Sequence, residues 1–382
     1  MNQPEITQTT LGLLRSFLTG EPWGKPVSEE LLGEVYKLAD KHDVAHLITA
    51  VPGGRGLLKS GSPFLKARQQ AVYRYMTQDH ERERIYALFE GGGIPFVPLK
   101  GSVIHSYYPE SWQRTGCDID ILIHEEDLER AVELLQEKYS YRPGKKSEHD
   151  ISLMSPAGVH LELHYDLHEE EVPVEEVWAD ARPIRPGSSH LVLSGELFLF
   201  HHIAHMAKHF RIGGCGLRPL MDLWLLRQHM PYDRAELERK LSAAGLKVFS
   251  DNSFALLDYW FGDGEATAVV EKMAEYILPA GAYGSMENRV AIGQIRKGSK
   301  VQYFKSRLFQ TRAALEYPYP ALKKHGWLLP FCQVHRWIKL LADGKSRRIL
   351  RELKANGAME RGYRDDVAQL MELLRLDGRE PG

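Results

Sequence analysis

Two aspartates lie inside an otherwise apolar run and constrain this chain more than any other feature. The run begins Asp118-Ile119-Asp120 and stays apolar through Ile123. In a strand, successive side chains point to opposite faces, so the two carboxylates would share one face while Ile119 and Ile121 take the other. Carboxylates so close together repel each other unless a cation lies between them, and their oxygen atoms suit Mg²⁺ or Mn²⁺. The run therefore predicts a strand that holds a divalent cation.

A second apolar run precedes the aspartates and predicts a short strand from Ile94 to Leu99. Lys100, Gly101 and Ser102 follow at the turn into a predicted helix. Glycine lets the backbone approach a ligand closely, and the free N–H groups at the start of a helix attract anions. A phosphate-binding turn beside a pair of metal-holding carboxylates indicates nucleotide chemistry.

Composition narrows the class of protein. The chain has 382 residues, of which 43% are hydrophobic and 26% charged, as in soluble globular proteins of two or three domains. A formal net charge of −2 gives no electrostatic basis for general nucleic-acid binding. Three widely spaced cysteines predict no disulfide framework, and the polar N-terminus does not resemble a signal peptide. No segment reaches the roughly 18 to 20 apolar residues of a membrane span. We therefore expect a soluble, cytoplasmic protein without a membrane partner.

Helical spacing dominates both ends of the chain. The leucine pattern predicts a helix over residues 7–19, a longer one from the Ser28 cap to residue 51, and a third over 64–90. After the central strands, helices are predicted at 125–139, 194–210, 217–228, 233–245, 265–277, 302–316 and 359–375. Two further strands, 150–154 and 158–165, flank a turn and predict a hairpin.

This order of elements predicts an α/β fold of the α+β kind. A small mixed sheet would form the core, over residues 91–185. Helical regions would flank it on both sides, over residues 1–90 and 186–382.

A third carboxylate would complete a site of this type, and Glu162 is the best candidate. His160, Glu162 and His164 share the polar face of their predicted strand, which would pair beside the aspartate strand. The alternative is that Asp118, Asp120 and Glu162 are exposed residues of an edge sheet. Acidic residues are poor strand formers, so two aspartates within apolar sequence favour the functional interpretation.

Basic residues flank the predicted phosphate turn. Lys100 and Arg114 would neutralise the charge of a triphosphate, and arginine can bind a phosphate through two parallel hydrogen bonds. The alternatives are a solvated lysine and a surface ion pair. Arg218 and Asp222 lie one helical turn apart and predict an ion pair with each other.

Three histidines recur along one side of a predicted helix, at His201, His205 and His209. A zinc site would need further ligands, and no cysteine or acid stands at ligand spacing. We expect these side chains to face the nucleotide cleft or a polar interior.

Three motifs together resemble a known family. They are LKGS at 99–102, RTGCDIDILI at 114–123 and HLELHYDL at 160–167. Over about residues 90–230 the chain resembles the bacterial uncharacterised nucleotidyltransferase family, within the superfamily of DNA polymerase β type. The resemblance implies that Gly101 and Ser102 bind the triphosphate. It also implies that Asp118, Asp120 and Glu162 hold two divalent cations, Mg²⁺ or Mn²⁺.

The expected reaction transfers a nucleoside monophosphate from an NTP, with ATP favoured, to an acceptor hydroxyl and releases pyrophosphate. A small-molecule acceptor is favoured over nucleic acid because the chain is nearly neutral. Two other hypotheses stay open. One is a toxin-like enzyme that modifies tRNA or a protein, supported by the basic, aromatic segment 296–312, although a solvated helix face explains that segment equally well. The other is a non-catalytic nucleotide-binding module, against which the three acids argue.

Overall fold

The protein is described here from a computed structural model that covers residues 3–54, 59–167, 169, 171–316, 318–342 and 346–377. The strands are β1 (Phe96–Pro98), β2 (Asp118–Ile123), β3 (Arg142–Lys146), β4 (Asp150–Met154), β5 (His160–His164), β6 (Arg182–Pro183) and β7 (Leu191–Val192). The helices of the N-terminal half are α1 (Gln3–Thr19), α2 (Glu29–Lys41), α3 (Pro63–Gly92), α4 (Gly101–Ile104), α5 (Leu128–Tyr139) and α6 (Val174–Asp180).

Helices make up the described remainder of the chain. They are α7 (Gly195–Ile212), α8 (Leu217–His229), α9 (Arg234–Ala243), α10 (Lys247–Phe261), α11 (Ala268–Ile277), α12 (Met286–Lys297), α13 (Lys300–Leu308), α14 (Arg312–Glu316), α15 (Leu329–Ala342), α16 (Ser346–Ala358) and α17 (Arg361–Leu373). Within the described ranges, no helix is both long and apolar enough to cross a membrane.

A mixed five-stranded sheet forms the centre, as the sequence predicts. Its strand order is β1-β2-β5-β4-β3, and β2 and β5 run parallel while the other neighbours are antiparallel. The register sets Asp118 opposite His160 and Asp120 opposite Glu162. The prediction that the Glu162 strand lies beside the aspartate strand is therefore confirmed.

The two faces of the sheet meet different cores. Ile119, Ile121 and Ile123 pack with buried residues of α3 and α5, such as Phe89 and Leu135. The opposite face, through Leu122, joins a larger core built from the N-terminal and C-terminal helices. The isoleucines of β2 thus pack in the core on one face of the sheet, and its acids face the helices of the larger core on the other.

Helix caps confirm several predicted starts. The Ser28 hydroxyl accepts a hydrogen bond from the Leu31 amide, and the Ser194 hydroxyl caps α7 in the same way by accepting from the Leu197 amide.

We keep the division of the chain into three regions, at residues 90 and 185, as a proposal. The larger core contains residues of α1 and α2 together with those of α7 to α12, while α3 packs on the sheet.

The predicted helix from Ser28 to residue 51 is wrong beyond Lys41. Asp43 has a left-handed backbone with φ of 56°, which a helix interior excludes, and a 3₁₀ turn follows over Ala45–Ala50. The Asp43 carboxylate accepts hydrogen bonds from Thr115 (2.8 Å) and Arg218 (2.7 Å). These tertiary contacts fix the chain where local spacing predicts more helix.

The predicted helix over 302–316 is also interrupted. It consists of α13 and α14, and Phe309 between them is extended, with φ of −119° and ψ of 110°. Side chains of α15 bind the carbonyls left at the break: Arg336 donates to Leu308 (3.1 Å), and Gln333 donates to Gln310 (2.6 Å). The elements β3, β6, β7, α6, α10, α12, α15 and α16 are not among those predicted from the sequence.

Candidate functional site

Adjacent strands bring the three predicted acids together. Asp118 and Asp120 project from β2, and Glu162 projects beside them from β5. Ligand atoms of Asp118, His160 and Glu162 all lie within 4.8 Å of one another, as do those of Asp120, Glu162 and His164. The alternating pattern of two neighbouring strands thus produces a compact set of carboxylates and imidazoles on one face of the sheet.

Crowding changes the acidity of these carboxyl groups. Burial and the neighbouring Asp120 carboxylate raise the pKa of Asp118, and burial with the same two aspartates raises the pKa of Glu162. Asp120 behaves in the opposite way. Burial alone would raise its pKa, but the Lys100 ammonium and the His164 imidazole lower it below its ordinary value. The site therefore holds one firmly ionised carboxylate and two that a further cation would stabilise.

Lys100 contacts an acid of the site. Its Nζ lies 2.8 Å from Asp120 Oδ1, and His164 Nε2 lies 3.0 Å from the same oxygen. Burial lowers the pKa of Lys100, yet the Asp120, Glu169 and Asp118 carboxylates together raise it above its ordinary value, so the group stays charged. The backbone of Lys100 has φ of 45° and ψ of −122°, a conformation that non-glycine residues rarely adopt. The turn thus directs the ammonium into the acidic cluster, and the alternative of a solvated lysine is wrong.

The predicted phosphate turn is shorter than a typical helix start. The helix α4 from Gly101 makes a single turn, and a 3₁₀ turn follows it, so the N-terminal field of a full helix is not formed there. A Cβ atom at position 101 would lie 2.4 Å from Arg114 Nη1, which explains why glycine occupies it. Ser102 is not among the described residues that line the cleft, and its amide donates to Leu99.

Arg114 forms a buried ion pair rather than a surface one. Its Nη2 lies 3.0 Å and its Nε 3.3 Å from Asp222 Oδ2, and Tyr108 donates to Asp222 Oδ1 at 2.8 Å. Burial would raise the pKa of Asp222, but Arg114 lowers it. The predicted pair between Arg218 and Asp222 is therefore wrong. Arg218 instead binds Asp43 at 2.7 Å, so Arg218 and Asp222 of α8 contact different partners.

Of the three predicted histidines of α7, His205 and His209 line the cleft. His201 is buried with its Nε2 3.4 Å from Glu169 Oε2, in the polar interior that was the other expectation. His205 Nδ1 lies 2.7 Å from Glu169 Oε1, and its Nε2 lies 3.0 Å from His209 Nε2. Burial lowers the pKa of His205 to about 3 and that of His209 to about 4. Both rings are therefore neutral near pH 7. Sequence reasoning missed Glu169, because it lies in an acidic run that resembles a solvated surface.

A cleft of about 260 Å³ lies between the sheet and the C-terminal helices. Its lining includes Lys100, Gly101, Arg114, Cys117, Asp118, Asp120, His205, His209, Arg218, Asp222 and Tyr283. Cys117 Sγ and the Tyr283 hydroxyl lie 2.9 Å apart at its edge. A larger cavity of about 590 Å³, lined by residues of α8, α9 and α10, contains none of the three predicted acids. The smaller cleft is therefore the candidate site.

Comparisons with known proteins identify a family. The model of a family described as "Uncharacterised nucleotidyltransferase" matches residues 28–262, more than half of the chain. No curated protein matches the sequence.

Two solved structures are similar to parts of the chain. One is a solution structure of the antibiotic-resistance factor ANT(2'')-Ia, 13% identical with a TM-score of 0.34, where the match covers 48% of this chain and 96% of that one. The other is a crystal structure of an antigenic nucleotidyltransferase-like protein from Paracoccidioides brasiliensis, 14% identical with a TM-score of 0.29, covering 48% of this chain and 90% of that one.

Proposed function

The chain belongs to the family of uncharacterised nucleotidyltransferases, and on that premise we propose that it transfers a nucleoside monophosphate from an NTP to an acceptor hydroxyl, releasing pyrophosphate. ATP is the donor we favour. The paired strands that carry Asp118, Asp120 and Glu162 fit the DNA polymerase β-type superfamily, and we propose that relationship and a bacterial, cytoplasmic setting with it.

One observation carries the proposal: three carboxylates converge from two paired strands, and two of them, Asp118 and Asp120, line a cleft. Their oxygen atoms suit a hard divalent cation such as Mg²⁺ or Mn²⁺, and the raised pKa values of Asp118 and Glu162 reflect negative charge that such a cation would neutralise. We propose that Asp118, Asp120 and Glu162 hold it. When bound, the cation would stabilise the charge that develops on the transferred phosphoryl group.

The phosphate contacts are assigned to the turn beside the acids. Lys100 carries its ammonium into the cleft, and Gly101 lines it. Ser102 stays in the proposal as the next residue of the turn, although it lies outside the cleft lining. Arg114 stays at the nucleotide site in this proposal, where its guanidinium packs on Gly101 and its Nη1 donates to Thr115 (3.1 Å). Asp222 also binds the Arg114 guanidinium. We therefore assign to Arg114 mainly the role of holding the turn in place.

The basic segment 296–312 supports a small-molecule acceptor over nucleic acid. At least four of its six cations bind protein oxygen atoms among the described residues: Arg296 binds Arg211, Lys300 binds Gly357 and Met359, Arg307 binds Glu352, and Arg312 binds Glu316. Cations that already bind protein groups leave fewer contacts for a phosphate backbone.

The test follows α-labelled ATP, CTP, GTP and UTP with Mg²⁺ and a panel of candidate acceptor hydroxyl compounds, while calorimetry measures binding of NTP and metal. We expect Asp118→Asn, Asp120→Asn and Glu162→Gln to lower transfer by roughly 10²- to 10³-fold, the usual cost of removing one electrostatic contact to the reacting group. Glu129→Gln, an exposed acid of α5, is the matched control and should keep full activity.

Two outcomes would contradict the proposal. Near wild-type transfer in the three variants would remove the acids from the reaction. NTP binding without transfer to any acceptor, and with no response to these variants, would favour the non-catalytic binding module instead.

A further inference from the structure

The helix α15 exposes an apolar face. Six side chains, each between 38% and 69% exposed, form what we term the α15 stripe: Trp327, Phe331, Val334, Trp337, Ile338 and Leu341. Trp327 lies in the 3₁₀ turn that leads into the helix, and α15 has no buried residue among those described. Single exposed apolar residues are ordinary, whereas a contiguous set of them marks an interaction surface.

Spacing makes the stripe continuous. Positions 327, 331, 334, 338 and 341 advance alternately by four and three residues, which places them along one line of a helix. The rings of Trp327 and Phe331 have centroids 6.2 Å apart, and Trp337 lies 6.4 Å from Phe309. Trp327 and Phe331 are about two-thirds exposed and Trp337 is 38% exposed. These three rings would offer roughly 250–400 Å², comparable with the largest patch of an ordinary monomer, before the aliphatic side chains are added.

Positive charge surrounds the stripe. Residues 320–354 contain nine Lys or Arg against two acidic residues, a formal charge of +7 in a chain whose total is −2. Exposed cations of this segment include Lys323, Lys324, Lys339, Arg347, Arg351 and Lys354. On α16, the exposed Leu350 lies between Arg347 and Arg351, so apolar and basic groups share that face as well.

We propose that the α15 stripe and the cations around it dock on the surface of an anionic lipid bilayer. The 14 residues of α15 would lie in the plane of the interface, with the stripe entering the boundary between headgroups and acyl chains. Lysine and arginine would reach the anionic headgroups, and tryptophan suits this depth. The expectation of no membrane partner rested on the lack of a spanning segment, and interfacial docking needs none.

Charge and side-chain chemistry favour this occupant over two others. A second copy of the chain would bring two segments of charge +7 together, which repel each other. A nucleic acid would match the charge, but Val334, Ile338 and Leu341 have no ring on which a base could stack. An anionic bilayer satisfies both the cations and the aliphatic side chains.

The test is sedimentation of the full chain with vesicles of phosphatidylcholine alone or mixed with phosphatidylglycerol. We expect binding to the mixed vesicles, weaker binding to the neutral ones, and loss of binding as salt screens the charges. The Phe331→Ser, Ile338→Ser double variant should weaken binding at least tenfold, because it removes two large apolar side chains that leave water when the stripe enters the interface. Tyr73→Ser with Met76→Ser, exposed at 75% and 61% on α3, is the matched control and should bind normally.

Several results would overturn the proposal. No binding of the wild-type chain to mixed vesicles, or equal binding of the double variant, would do so. A change from dimer to monomer in the double variant, measured by light scattering, would assign the stripe to a second copy. Loss of RNA binding in that variant would assign it to nucleic acid. Circular dichroism checks that the variants fold, and none of these results depends on transferase activity.

Discussion

Changing Asp222 to Asn should destabilise the protein strongly, because it removes the charge from a buried ion pair. The Asp222 side chain is 1% exposed and that of Arg114 is 12% exposed. Contacts of 3.0 to 3.4 Å join the two groups, and Tyr108 donates a further hydrogen bond to the carboxylate. Asparagine keeps the shape but leaves the guanidinium buried without a counter-charge.

The expected cost follows from that burial. Breaking a buried pair by removing one partner costs about 3–5 kcal/mol. Since the asparagine oxygen can still accept one hydrogen bond, we expect the lower end, about 3 kcal/mol at pH 7. Urea unfolding followed by circular dichroism measures it as a lower midpoint with an unchanged slope.

Acidity gives a second signature of the same pair. Arg114 holds the pKa of Asp222 below its ordinary value, although burial acts in the opposite direction. The contribution of Asp222 to stability is therefore fully present above the unfolded-state pKa of about 3.9 and is lost as the pH falls through the lower folded-state value. The difference between wild type and variant should be constant from pH 7 down to about 5 and should close below about 4.

A second ion pair of α8 provides the control. Arg227 binds Asp258, whose side chain is 43% exposed, so Asp258→Asn should cost no more than about 1 kcal/mol. If Asp222→Asn lowers the free energy of unfolding no more than that control, or if the loss does not change in acid, the buried pair does not stabilise the fold.

Other predictions concern the turn and the acceptor. Gly101→Ala places a Cβ 2.4 Å from a guanidinium nitrogen and should destabilise the protein by about 1–3 kcal/mol, as measured by urea unfolding. Gly91→Ala, with open space around it, is the control and should be neutral or stabilising. Equal effects of the two variants would contradict the close contact at Gly101. Lys100→Met should raise the Mg²⁺ affinity, measured by calorimetry, roughly tenfold. In the wild type the Lys100 ammonium competes with the cation for Asp120 through a charge-assisted hydrogen bond worth about 1.5–3 kcal/mol. An unchanged affinity would refute this. Filter binding of RNA should show no specific complex at physiological salt, whereas sub-micromolar binding with a log–log salt slope of roughly −4 to −5 would support RNA contact through segment 296–312.

Local patterns in the sequence determined four of the five strands of the sheet and the position of its acids. The alternation in Asp118–Ile123 and in His160–His164 defines an apolar and a polar face without reference to the rest of the chain. Caps such as Ser28 act within one turn, so they too are readable locally. Hence the pairing of the two acid-bearing strands could be predicted, and the structure confirms it. The chemical roles of the acids remain predictions.

Only the tertiary structure decided which charged groups pair. Spacing along α8 predicted that Asp222 binds Arg218, but the fold gives Asp222 to Arg114, 108 positions away, and Arg218 to Asp43, 175 positions away. It also placed Glu169 against His205. The left-handed Asp43 ended the helix that the sequence predicted to continue to residue 51. The partner of a long charged side chain depends on which helices and loops the complete fold brings within about 4 Å, and the spacing of residues along one helix contains no information about that distance.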